Sequence, residues 1–181
     1  MIPLPTLQTS IDPIATALDA ATHDARVNWA RGLGSGQLHA LWDLTAGRTV
    51  TIDQLCGAEG EVIIHEGKNS LPFFCDFQKR VMRRGDVVQG YNHQSMSWLT
   101  GPGHFTVTEE NGEALFDYTR DPVSAPDTFP PLVPNEAGLS RLVYAHMKDY
   151  LRRVSTHAVI GAAFKKGKAV GPGDRFLLVR S

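Results

Sequence analysis

LPFFCDFQKRVMRRGDVVQGYNHQ, residues Leu71 to Gln94, is the stretch whose reading decides the fold. Phe73, Cys75, Phe77 and Val81 recur on the two-residue period of a strand. Gly85-Asp86 supplies a two-residue turn, because glycine reaches positive φ without steric cost and the order Gly-Asp suits type II′. A turn there sets the register: Arg84 faces Val87, Met82 faces Gln89, Arg80 faces Tyr91 and Gln78 faces His93. One face then carries Phe73, Cys75, Phe77, Val81 and Val88, interrupted by Lys79. The other carries Asp76, Gln78, Arg80, Gln89, Tyr91 and His93. A slip of one residue would exchange partners and spoil this sorting.

The polar face of the hairpin is the first candidate site. Cross-strand neighbours have β-carbons roughly 5 Å apart, so the Asp76 carboxylate, Arg80 guanidinium, Tyr91 phenol and His93 imidazole fall within mutual reach. Such a set suits proton transfer or an anion grip. The wet face of an antiparallel sheet accounts for the same residues with no site at all.

Upstream of the hairpin, residues 1–57 read as helical. Asp12-Pro13 starts a helix, with Asp at the N-cap and Pro at the first position, and Ile14, Leu18, Ala21, Ala25 and Trp29 line one face until Gly32 and Gly34. Ser35 caps a second helix that buries Leu38, Leu41 and Trp42 and stops at Gly47; Thr51 with Gln54 fits a capping box on one short turn. Residues 58–120 read as antiparallel strands. Glu61 to Glu66 (EVIIHE) is a strand that runs into the turn-rich Gly67-Lys68-Asn69-Ser70. His65, Glu66 and Lys68 form a second polar cluster, able in principle to supply a base, an acid and an anion grip. Beyond the hairpin, Gln94, Met96 and Trp98 alternate with Ser95, Ser97 and Leu99, Gly101-Pro102-Gly103 turns the chain, and HFTVTE and EALFDY flank Asn111-Gly112, the strongest short hairpin signal in the sequence.

Residues 121–134 carry five prolines and read as a surface crossover anchored by Phe129 and Leu132. Residues 135–154 read as a long helix: Asn135 caps it, and Leu139, Leu142, Val143, His146, Met147 and Tyr150 make a stripe at helical spacing. HAVIGAAF and RFLLVR, within residues 155–181, read as a terminal strand pair around a lysine- and glycine-rich loop.

Together these elements predict one globular α+β domain over residues 1–181. It holds a strongly curved antiparallel sheet or barrel of seven or eight strands, two N-terminal helices, and one long helix before the last two strands. The 181 residues allow a real core, and 42% hydrophobic with 20% charged residues is ordinary globular usage. No apolar run is long enough for a transmembrane helix, and MIPLPTLQTSIDP lacks the basic start and apolar core of a signal peptide, so a cytoplasmic protein without membrane contact is expected. Cys56 and Cys75 make neither a disulfide framework nor a metal motif. The formal charge of −1 is unevenly spread: residues 1–140 hold 9 basic and 17 acidic side chains, and residues 141–181 hold 9 and 2. Such polarity is either neutralised within the fold or used for association between copies.

The residue supply favours a small-molecule-binding barrel, with Phe74, Met96, Trp98, Phe105, Phe116 and Tyr118 available to line a pocket and Lys68, Arg80, Tyr91 and Trp98 as ligand-binding candidates. An acid–base enzyme is the alternative, with His65, His93 and Asp76 as catalytic candidates in the sets His93/Asp76/Arg80 or His65/Glu66/Lys68. A homo-oligomer assembled through oppositely charged ends is a further alternative. Nucleophile-elbow, zincin, Walker and Rossmann signatures are absent, so no metal or cofactor is implied. Nucleic acid is not expected as a partner, because no aromatic interleaving or basic recognition helix accompanies the lysines.

Overall fold

The computed structural model describes residues 1–7, 9–71, 75–94, 97–122, 124–171 and 173–181, with the backbone alone at Trp98 and Leu99. Along the chain run α1 (Ile11–Ala20), α2 (His23–Arg31), α3 (Ser35–Leu44), α4 (Ile52–Leu55), β1 (Val62–Asn69), β2 (Asp76–Arg84), β3 (Val87–His93), α5 (Ser97–Thr100), β4 (His104–Glu110), β5 (Glu113–Asp117), α6 (Ser140–Val143), β6 (Met147–Arg153), β7 (Ala158–Lys165), β8 (Lys168–Ala169) and β9 (Arg175–Arg180).

The decisive hairpin is β2–β3, in the predicted register: Arg84 with Val87, Met82 with Gln89, Arg80 with Tyr91, Gln78 with His93. Gly85 takes φ +59° and Asp86 keeps negative φ, as a type II′ turn requires. Phe73 lies outside the described residues. Asn111 (φ 54°) and Gly112 (φ 79°) both enter the left-handed region and join β4 to β5 with Glu110 opposite Glu113, the predicted Asn-Gly hairpin.

Every strand pairing is antiparallel, and the sheet order β6-β5-β4-β3-β2-β1-β9-β7 closes on itself because β6 also pairs with β7. The result is a closed eight-stranded antiparallel barrel, with β8 hydrogen-bonded to β7 outside the ring. Closure leaves the ring without an unpaired strand edge.

Alternation decides what points inward. Phe77, Lys79 and Val81 of β2, Val88 and Asn92 of β3, Phe105 and Val107 of β4, Phe116 of β5, Met147, Asp149 and Leu151 of β6, Ala163 of β7, and Phe176 and Leu178 of β9 share the inner face by register. Eight strands enclose a space that side chains nearly fill. Three inward glycines make room for rings on the neighbouring strand: Gly67 opposite Phe77, Gly90 opposite Phe105, Gly161 opposite Phe176. A β-carbon at Gly67 would sit 2.7 Å from Phe77 Cζ, one at Gly90 2.6 Å from Phe105 Cζ, and one at Gly161 closer still to the Phe176 ring. Each phenylalanine therefore lies flat across a glycine, which brings the rings together on the axis. Gly161→Val is expected to destabilise the fold by about 1–3 kcal/mol through overpacking. Gly36→Ala in α3, where an added β-carbon meets nothing within 4 Å, is expected to stabilise it slightly. Urea denaturation of the two variants checks the opposite signs.

The outer faces of β7 and β9 form a second core. Ala158, Ile160, Leu177 and Val179 point away from the axis and pack under Ile14, Leu18, Val27, Ala30, Leu33, Leu38 and Leu41 of the N-terminal helices. This explains why HAVIGAAF and RFLLVR are apolar without alternation: both strands are buried on both faces.

Gly67-Lys68-Asn69, expected as a turn, continues strand β1, and three further expectations need correction. First, the long helix over residues 135–154 does not form; α6 covers only Ser140–Val143, and residues 147–153 are strand β6. The helical stripe competes with an alternation of buried Met147, Asp149 and Leu151 against half-exposed Lys148 and Tyr150. The alternation wins because β6 supplies hydrogen bonds to both β5 and β7, and without it both would be unpaired edges. Asn135 accordingly caps no helix; it is buried, and its Nδ2 donates to the carbonyls of His104 (2.7 Å) and Tyr118 (3.0 Å), tying the crossover to the barrel. Second, the two N-terminal helices are three, because the first breaks at Ala21-Thr22. Ser10 rather than Asp12 caps α1, and Thr22 caps α2 by accepting from the Ala25 amide at 3.3 Å. Third, Ser97–Thr100 is a short helical turn and not a strand continuation. No helix among the described residues is long and apolar enough to cross a membrane.

Candidate ligand-binding site

The barrel has one sealed end and one open end. At the sealed end, residues 48–56 lie across the opening and insert Val50, Leu55 and Cys56 into the core. Arg180, on the inner face of β9, donates to the carbonyls of Gln54 and Cys56 at 3.0 Å each, where the last carbonyls of α4 lack partners. His65 belongs to the same seal: it points inward, is 2% exposed, and its Nε2–H donates to the Leu55 carbonyl at 2.8 Å. Burial pushes its pKa down to about 4, with Arg180 and Lys79 adding to the effect.

At the open end a pocket of about 330 Å3 runs inward between β1, β2, β3, β6, β7 and β9. Its floor is a buried polar cluster around Lys79. The Lys79 ammonium donates to Asn92 Oδ1 at 2.8 Å, to Asp149 Oδ2 at 3.1 Å, and to the Tyr118 hydroxyl. Its Nζ lies 4.8–5.1 Å from the ring centroids of Phe105, Phe116, Tyr118 and Phe176, of which Phe105 and Phe176 are admitted by inward glycines. Asn92 is fixed by Nδ2 bonds to the Gly103 carbonyl (3.1 Å) and the Tyr118 oxygen (3.0 Å). Tyr144 stacks on Tyr118 with ring centroids 5.3 Å apart, an approach open only because Gly103 has no side chain under the Tyr144 ring. Gln94 Nε2 donates to the Tyr144 hydroxyl at 2.9 Å and closes that side of the wall.

Burial governs the electrostatics of the floor. It pushes the Lys79 pKa down and the Asp149 pKa up, and in each case the charge of the partner pulls back. It also pushes the Tyr118 phenol well above its ordinary value, so that group stays protonated. Asp149 Oδ2 is occupied by Lys79 and Tyr118; Asp149 Oδ1, equally buried, has no hydrogen-bond partner among the described residues. The rim is the reverse of the floor. Leu71, Leu142, Val143 and Val170 line the mouth and remain 36–69% exposed. Lys165 spans the rim and donates to the Leu142 carbonyl at 2.6 Å. A larger hollow of about 540 Å3 lies outside the barrel among Met1, Ile2, Ala17, Ala21, Ala25 and Trp29, and among the described residues no ionisable side chain lines it.

The sites expected from the sequence fall elsewhere. Asp76, Arg80, Tyr91 and His93 are on the outer face of the barrel, across the wall from Lys79. Asp76 lies 3.8 Å from Arg31, Arg80 donates to Gln78 at 3.0 Å, and His93 is exposed, so His93, Asp76 and Arg80 are not joined. Tyr91 packs edge-on against Phe129 of the crossover, with centroids 4.8 Å apart, and Arg80 Nη1 reaches its hydroxyl at 3.4 Å. Strand alternation also splits the second cluster: His65 points in, while Glu66 pairs with Arg31 at 3.2 Å on the outside and Lys68 contacts Cys75 Sγ at 2.7 Å. Of the expected pocket aromatics, Phe105, Phe116 and Tyr118 are interior. Phe74, Met96 and the side chain of Trp98 lie outside the described residues.

Sequence reasoning missed Lys79, Asn92, Gln94, Tyr144 and Asp149. The available signal was Lys79 itself, a charge in the middle of an apolar face. Among the described residues no three of His, Cys, Asp or Glu gather as metal ligands. Compared with protein-family models, with characterised proteins and with solved structures, the chain matches none.

Proposed function

We propose that the protein binds a small amphipathic molecule inside the barrel, polar end down on the Lys79–Asp149 floor and apolar end among Leu71, Leu142, Val143 and Val170. The observation that carries this reading is the gradient along one open pocket, from a buried and nearly saturated polar cluster to an exposed aliphatic rim. Binding sites for small molecules have this composition: mostly apolar walls, with a few fixed polar groups that set orientation. Exposed aliphatics at a mouth cost little when a ligand covers them. Two cations of the basic C-terminal part are engaged within the fold, Lys148 with Glu110 at 3.2 Å and Arg180 with the α4 carbonyls.

Titration with the uncharged fluorophore prodan tests the reading. Saturable binding at one site is expected. Ala163→Trp, which fills the pocket from β7, is expected to weaken it about tenfold or more, with far-UV dichroism unchanged. No saturable binding, or binding indifferent to Trp at position 163, overturns the proposal.

A further inference from the structure

Resting on the pocket reading above, the geometry points to the class of polar group the floor accepts: we infer that the ligand ends in an uncharged hydrogen-bond donor, a hydroxyl or an N–H. An ammonium has three protons, and those of Lys79 go to Asn92 Oδ1, Tyr118 and Asp149 Oδ2. The Asn92 amide protons go to the Gly103 carbonyl and the Tyr118 oxygen. The single Tyr118 proton is taken by Asn92 Oδ1 (3.2 Å) or Asp149 Oδ2 (3.4 Å). The donors of this cluster are spent. What remains is an acceptor, Asp149 Oδ1, on a side chain that lines the pocket, is 2% exposed and has no partner at that oxygen among the described residues.

Charge narrows the class. Lys79 and Asp149 balance each other, so the floor has no net charge to offset a charged head. A carboxylate head would meet the Asp149 carboxylate with every donor of the floor cluster already engaged. An ammonium head would meet the Lys79 ammonium, 3.1 Å from Asp149 Oδ2. Each would also lose its hydration in a buried site. A hydroxyl avoids both repulsions and makes a charge-assisted O–H···O⁻ bond, stronger than a neutral one. The aliphatic rim then receives the rest of the molecule, which makes an alcohol or amide with an apolar tail the matching chemistry.

The test compares octanol with its isomer heptyl methyl ether, which has the same atoms and no donor, and with octanoate and octylamine, each competing against prodan on the intact protein. Octanol is expected to displace prodan at about tenfold lower concentration than the ether, and octanoate and octylamine to compete more weakly than octanol. The Lys79→Met/Asp149→Leu double variant is expected to bind octanol and the ether equally. If octanol and the ether compete equally on the wild-type protein, or octanoate or octylamine competes as well as octanol, the inference is overturned and the pocket reading stands. If prodan binds and none of the four displaces it, the inference is likewise overturned. If prodan itself does not bind, both fall.

Discussion

Asp149→Leu should cost about 3–5 kcal/mol of stability, while Lys79→Met/Asp149→Leu should lie within about 1 kcal/mol of the wild type or above it. The asymmetry comes from desolvation. Lys79 and Asp149 are each 2% exposed, and taking one partner away leaves the other charge in a cage of rings. Taking both away leaves an interior of phenylalanine, tyrosine and aliphatic groups into which Met and Leu fit by volume. The pKa directions agree, since burial already drives each partner toward its neutral form. The single variant should also become more stable as pH rises. An unpaired buried Lys79 holds its proton less tightly folded than unfolded, so deprotonation favours the folded state. Urea denaturation at pH 7 and pH 9 reads both effects. A double variant as unstable as the single one would show that the ion pair itself holds the barrel together.

Acid should destabilise the fold well before its carboxylates titrate. His65 has a folded pKa of about 4 against an ordinary 6.5, so the unfolded chain binds the proton more readily. The stability held by neutral His65 is complete above pH 6.5 and is lost as pH falls from there toward about 4, a total of about 3 kcal/mol. His104 and His157 are shifted in the same direction, chiefly by burial, and add to the slope. A His65→Gln variant separates the contributions: its amide can still donate to the Leu55 carbonyl but does not titrate. Denaturation midpoints measured between pH 7 and pH 5 should fall more steeply for the wild type than for this variant. Parallel slopes would mean that the seal around α4 opens to water and His65 is not buried in solution.

The outward position of the Asp76–His93 face shows what a strand reading contains and what it lacks. Period two sorts side chains into two sets but does not say which set is enclosed when both are partly apolar and partly polar. The polar set looked like a site because four chemically active groups shared it. Its apolar members, Met82 and Tyr91, are instead covered by Phe129 of the crossover. The set with Lys79 is the enclosed one, because Phe77 packs against the core that Phe105, Phe116 and Phe176 build and meets the Phe176 ring from a strand far away in the chain.

The sequence by itself determined the β2–β3 and β4–β5 hairpins, their turns and registers, and the helical character of the N-terminal part though not its break at Ala21-Thr22, since each depends on residues within a few positions of one another. The register also placed Asn92 opposite Lys79, half of the floor. Only the tertiary structure decided that residues 147–153 are a strand, and with them that Asp149 reaches Lys79, 70 residues away in sequence. Local spacing there is compatible with a helix; the hydrogen bonds that favour the strand come from β5 and β7, and they exist only once the barrel closes. The pocket is a product of that closure, because burial of the floor and exposure of its rim belong to the ring of strands and to no single segment.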